Sequence, residues 1–199
     1  MNLPNKIIAL KNKDKSFHEK WHKGRNLFNF PHPFSWLIFA KPGAGKTNLV
    51  KNMLLRIKPP FQKIYVLHTD MSTSEYSDIE CDMINSPISL DEIDRTKKNL
   101  LIIDDYDIMS LNKEDTQIID RLFGYARTHL SLSIIVINQN ITRIPITIRR
   151  MCNIITHFQI PNFRDRQIIG SLIGFTPNEM TKIDKLLEGL SLDKKEVAM

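Results

Sequence analysis

The stretch SWLIFAKPGAGKTNLV, residues 35–50, decides how this chain is read. SWLIFA is an apolar run of strand length, and the residues after Thr47 begin an apolar pattern at helical spacing. Between the two, Gly43 and Gly45 permit the positive φ that turns successive backbone N–H groups toward one point. Lys46 and Thr47 follow where a helix would open. This is the pattern of a phosphate loop, with Ala40 at the position usually held by its first glycine. Pro42, Gly43, Ala44, Gly45, Lys46, Thr47 and Asn48 are the expected cradle for the phosphates of a nucleotide. Lys46 is expected on the β- and γ-phosphates and the Thr47 hydroxyl on Mg²⁺. The N-terminus of the helix would face the same anion.

Four more apolar, β-branched runs follow SWLIFA: KIYVLH (63–68), NLLIID (99–104), LSIIVIN (132–138) and NIITHF (153–158). Runs of this length suit strands buried on both faces, as in a parallel sheet. Helical patterns lie between several of them. Leu49, Val50, Met53, Leu54 and Ile57 share one face, and Pro59-Pro60 ends that helix. Asn112 is placed to cap a second helix with Glu114 and Asp115 in its first turn, and Ile118, Ile119, Leu122, Phe123 and Ala126 make its buried stripe. Thr176 and Glu179 form a capping box with Pro177 at the first helical position and Phe175 placed to staple Met180. Ser89 and Glu92 make the same box for a short helix. Strands alternating with helices predict an α/β domain.

A phosphate loop needs a second strand that ends in a carboxylate for the metal. NLLIIDDYD supplies Asp104, expected to hold Mg²⁺ through water, and Asp105, expected to polarise the attacking water as general base. Lys46 and Asp104 stand 58 residues apart, with KIYVLH between them. An inserted strand together with an acidic pair points to ATPases that hydrolyse ATP to drive motion. In that branch a polar residue after the next strand senses the γ-phosphate, and Gln139 is the candidate. His68, Thr69 and Asp70 have two readings, facing the site or forming an ordinary surface loop, of which the loop is favoured, and Tyr106 reads as packing.

Charge bears on the partners. The formal net charge of +6 is uneven: residues 1–40 hold seven Lys/Arg against two acids, 69–98 hold three against eight, and 141–166 hold five against one. Basic segments suit a polyanion and equally an ordinary solvated surface, so charge alone does not choose between them. A basic-aromatic cluster of His18, Lys20, Trp21, His22, Lys23 and Arg25 suits DNA, a neighbouring subunit or packing on its own domain. The sequence contains no 18-residue apolar stretch, so no membrane span is expected. The N-terminal residues do not read as a secretory signal. Cys81 and Cys152 lack metal-ligand spacing and are expected to be buried free thiols.

The block RTHLSLSIIVINQN followed by RIPITIRRMCNIITHFQIPNFRDRQIIGSLIG resembles the poxvirus-type DNA-packaging ATPases of large DNA viruses, virophages and related elements, within the FtsK–HerA group. The matching features are Arg127 and His129 before the sensor strand, Gln139 at its end, Arg149 or Arg150, the strand NIITHF, and Arg164 to Gln167. The resemblance covers about residues 33–175. It implies a RecA-like P-loop NTPase of the additional-strand type, with a parallel sheet in the order 5-1-4-3-2 flanked by helices. It further implies a homo-oligomeric ring, a pentamer or hexamer, around double-stranded DNA at a viral capsid vertex. ATP and Mg²⁺ would be bound at each subunit edge, and an arginine from the next subunit, Arg127 or Arg150, would neutralise charge on the transferring phosphoryl group.

The expected organisation is a basic extension at 1–32, an ATPase core at 33–175 and a C-terminal helix at 176–199. The expected location is the cytoplasm of an infected cell (the viral factory), its nucleus, or the virion. Three other readings compete with a packaging motor. They are a nucleotide-gated adaptor with little turnover, a conjugation or segregation ATPase of the same group, and a nucleotide kinase.

Overall fold

The computed structural model describes residues 32–158, 162–176, 178–183 and 185. The Trp21 cluster and nearly all of the expected basic extension lie outside those residues, as does most of the last expected helix. Within them, six strands form one parallel sheet: β1 (Ser35–Phe39), β2 (Lys63–His68), β3 (Asp82–Ile84), β4 (Asn99–Asp104), β5 (Leu132–Asn138) and β6 (Ile154–His157). Their order is β3-β2-β4-β5-β1-β6. The five strands expected from the sequence stand in the anticipated 5-1-4-3-2 order. β3 is an addition at the edge, pairing Tyr65 with Asp82 and Leu67 with Ile84.

β1, β4 and β5 are buried along their whole length. Alternate side chains leave by opposite faces, so one sheet feeds two cores. Leu37, Leu101, Ile103, Ile134 and Val136 pack on one side with Ile119, Leu122, Phe123 and Ile148. Trp36, Ile38, Leu100, Ile102, Ile135 and Ile137 pack on the other with Val50, Met53 and Ile57. Helix α1 (Lys46–Arg56) covers the second side. Helices α2 (Lys113–Arg121), α3 (Ile146–Met151) and α4 (Phe163–Ile173) accompany the first. Among the described residues no helix is long and apolar enough to cross a membrane.

Local chemistry explains most helix ends. The Asn112 side chain accepts from the Asp115 N–H at 2.8 Å and starts α2 as expected. Past Arg121 the helix widens into a π turn, Leu122–Ala126, before its last turn at Arg127–His129. A stripe at 119, 122, 123 and 126 satisfies ordinary α spacing, so periodicity could not reveal that turn. At the C-terminal capping box the Thr176 hydroxyl donates to Glu179 at 2.7 Å, and Met180 is fully buried while Phe175 stays 44% exposed. The Ser89 box is reduced to a single 3₁₀ turn, Leu90–Glu92, with Ser89 accepting from the Asp91 N–H. Both cysteines are free and only partly buried, rather than fully enclosed. His32, bonded to Ser133 at 2.7 Å and Ser131 at 2.9 Å, belongs to the packed domain and not to an extension.

Lys98, 1% exposed, is an unusual core member. Its ammonium donates to the Pro59 carbonyl at 2.6 Å and lies 4.5 Å from the centre of the Phe61 ring. Burial pushes its pKa down from 10.5 to about 8. The unfolded chain therefore binds more protons than the native one between those values, and the wild type should gain stability as pH rises through them. Urea unfolding at pH 7 and at pH 10 of the wild type and of Lys98→Met tests this. The wild type should improve relative to the variant at the higher pH, and an unchanged difference would contradict a charged, desolvated lysine.

Candidate functional site

Because the strands run parallel, one edge of the sheet collects all their C-terminal ends. Register places His68 opposite Asp104, Asp104 opposite Ile137, and Phe39 opposite Asn138. This is the edge of an open α/β sheet where ligands bind. Residues 40–45 lead from β1 into α1, with φ of +71° at Gly43 and +91° at Gly45. A Cβ at either glycine would meet nothing within 4 Å, so the requirement is one of backbone conformation rather than of space. Ala40 is 2% exposed and outside the left-handed region, which explains why a methyl group is tolerated there. α1 has no acidic residue in its first turn. Its free amides thus face the cleft without a competing carboxylate of their own.

The polar side chains converge on this loop. Lys46 is 8% exposed, and its ammonium donates to the carbonyls of Ala40 and Lys41, both at 3.1 Å. Asp104, at the end of β4, is 3% exposed and accepts from the Tyr76 hydroxyl at 2.6 Å. Burial pushes its carboxyl up to about 6, with the neighbouring Asp105 and Glu75 charges adding to the effect against the Tyr76 bond. Asp105 is exposed, holds φ at +45°, and donates its N–H to the Ile137 carbonyl at 3.1 Å. Its carboxylate accepts from Gln139 Nε2 at 2.6 Å. A cleft of about 420 Å³ unites Pro42, Gly43, Gly45, Lys46, Thr47, Asn48, Asp104, Asp105 and Gln139.

Sequence reasoning missed Lys51 and Glu75 in this cleft and ranked His68 as a loop residue. Lys51, His68 and Glu75 also line it. His68, read as a loop residue, faces the site, and its Nδ1 accepts from the Asp70 N–H at 2.9 Å. Beside Asp105 and Gln139 an adjoining cleft of about 330 Å³ takes in Tyr106 and Arg143. An arginine just past Gln139 was the available signal for Arg143. Glu75 gave none, because its partner Thr47 stands 28 positions away.

The arginines expected to complete a neighbour's site lie outside this cleft. Arg127 is half-buried and donates to Ser35 Oγ at 3.0 Å and to the Met151 carbonyl at 3.2 Å. Ser35 begins β1, so Arg127 braces the end of the sheet opposite the loop. Arg150, on α3, is exposed, while Arg149 is half-buried beside it.

What the site can do chemically follows from its donors. Backbone amides, a lysine and a helix N-terminus offer a phosphate chain positive potential. The Thr47 hydroxyl and the Asp104 carboxylate are hard oxygen donors, which fit Mg²⁺. Among the described residues no three His, Cys, Asp or Glu side chains form a ready-made metal cage. The left-handed backbone at Asp105 gives a test by substitution. Asn tolerates that region, so Asp105→Asn should leave unfolding stability nearly unchanged, whereas Asp105→Val should cost about 1–2 kcal/mol. Equal urea midpoints for the two variants would contradict the positive φ.

Neither a protein-family model nor a curated protein sequence matches the chain. Solved structures do. The genome packaging NTPase B204 from Sulfolobus turreted icosahedral virus 2, in complex with ATP-gammaS, aligns at a TM-score of 0.57 and 16% identity, covering 75% of this chain and 86% of that one. The same protein in complex with AMPPCP aligns at 0.53 and 14% identity over 76% and 86% of the two chains. B204, the DNA-packaging ATPase from Sulfolobus turreted icosahedral virus, aligns at 0.51 and 15% identity over 77% and 88%. The chain thus has the RecA-like α/β fold that the family resemblance implied, and shares that fold with viral genome-packaging NTPases.

Proposed function

We propose that this protein is an ATP-hydrolysing motor that translocates double-stranded viral DNA into a preformed capsid. One observation carries the reading: Lys46, Thr47, Asp104, Asp105 and Gln139 meet in one cleft, at the C-terminal edge of neighbouring strands. The fold shared with packaging NTPases supports it.

In this reading the amides around Gly43 and Gly45 hold the phosphates of ATP, and Lys46 leaves the Ala40 and Lys41 carbonyls to contact the β- and γ-phosphates. Thr47 and Asp104 hold Mg²⁺, whose chemistry is to neutralise charge on the phosphate oxygens. Asp105 orients and deprotonates the attacking water. Gln139, one hydrogen bond away, links that carboxylate to the state of the γ-phosphate. Arg150, exposed on α3, is the better candidate for the arginine supplied to a neighbour in a homo-oligomeric ring, since Arg127 is engaged within its own chain. DNA is gripped through its backbone, which calls for positive charge and no base readout.

Steady-state ATP hydrolysis with and without duplex DNA at low salt tests the proposal. Turnover should rise with DNA and fall by about 10²-fold or more in Asp105→Asn, the range expected for loss of a general base. Hydrolysis indifferent to DNA and to Asp105 would overturn it.

A further inference from the structure

Glu75 lines the cleft, and its neighbour Tyr76 reaches Asp104 from the core beside it. After β2 the chain runs to a single 3₁₀ turn, Ser74–Tyr76, capped by the Thr73 side chain. Consecutive residues of this turn reach the two groups assigned to the metal. Glu75 Oε2 accepts from the Thr47 hydroxyl at 3.2 Å. The Tyr76 hydroxyl donates to Asp104 Oδ2 at 2.6 Å. Directly afterwards Asp78 pairs with Lys51 at 2.6 Å, which fastens the segment to α1 one turn beyond Thr47. The turn therefore bridges the helix and the strand that carry the two metal groups.

The two contacts differ in character. Tyr76 is 2% exposed, and its ring belongs to the core under α1, so its hydroxyl is held rigidly against Asp104. Glu75 is exposed and free to adjust. A hydroxyl has one proton and two lone pairs. When Thr47 gives its proton to Glu75, both lone pairs remain for a cation. A carboxylate that accepts from a fixed phenol on one oxygen keeps the other for the cation or a water bound to it.

We infer that the Ser74–Tyr76 turn is a positioning element of the metal site, in which Glu75 orients the Thr47 hydroxyl and Tyr76 orients the Asp104 carboxylate toward the cation of a bound Mg²⁺–nucleotide. The inference rests on the reading of the cleft as a Mg²⁺–nucleotide site. Partners one step removed from a metal commonly change its affinity by about 10- to 100-fold.

The test uses the full chain, with Mn²⁺ as probe and a non-hydrolysable ATP analogue, and measures Mn²⁺ affinity by electron paramagnetic resonance. Binding of the analogue without metal is followed separately. Glu75→Ala and Tyr76→Phe should each weaken Mn²⁺ about 10-fold or more without weakening metal-free analogue binding. Glu75→Gln keeps an oxygen that can accept the Thr47 proton and should retain most of the affinity. If Glu75→Gln loses as much as Glu75→Ala, charge rather than orientation is at work and the inference is overturned. Unchanged Mn²⁺ affinity in Glu75→Ala and Tyr76→Phe also overturns it, while leaving the nucleotide site intact. Should the wild type bind Mn²⁺–analogue no better than Lys46→Ala, the parent reading fails and takes this inference with it. Far-ultraviolet circular dichroism on each variant separates loss of fold from loss of affinity.

Discussion

Burial of the central strands on both faces is the constraint on which everything else depends. β1, β4 and β5 offer no solvent-facing side on which a polar residue could sit. Their polar groups are therefore pushed to the two ends. Ser35 and Asn99 mark one end, Asp104 and Asn138 the other. Parallel pairing then brings every C-terminal end to the same edge. The carboxylate of Asp104, the side-chain amide of Gln139 and the loop after Phe39 converge because the strands between them have nowhere else to place polarity. The opposite edge shows the same logic, with Arg127 and Asn153 tying off Ser35.

The site also bears local costs that make sense together. Asp104 is ionisable and nearly enclosed, and burial raises its pKa against the Tyr76 hydrogen bond and the charge of His68. Such a carboxylate is a natural place for a divalent cation to provide counter-charge. Asp105 sits in the left-handed region, where Asp and Asn are favoured over most side chains with a Cβ. The short side chain both fits the backbone and lies within 2.6 Å of Gln139.

How much was legible beforehand depended on the range of each signal. The glycine loop between a strand and a helix, the five long strands, the Asn112 cap and the Thr176 box are written in short windows, so sequence reading found them. β3 is three residues of mixed polarity inside an acidic segment, and nothing in DMI distinguishes an edge strand from a loop. The π turn escaped because its apolar stripe also fits an α-helix. Glu75 and Tyr76 escaped because their meaning lies entirely in contacts 28 positions away. Arg127 was visible as a charged residue, but its half-buried bracing role depends on α2 ending over the start of β1, which no local pattern encodes.

The central claim is that the loop at residues 40–47 holds the phosphates of a nucleotide, and equilibrium titration of a non-hydrolysable ATP analogue with Mg²⁺ tests it most directly. The wild type should bind saturably, and Lys46→Ala should bind about tenfold more weakly or worse, as expected for loss of a charge-assisted contact to phosphate. Binding of equal strength in the two proteins would contradict the account.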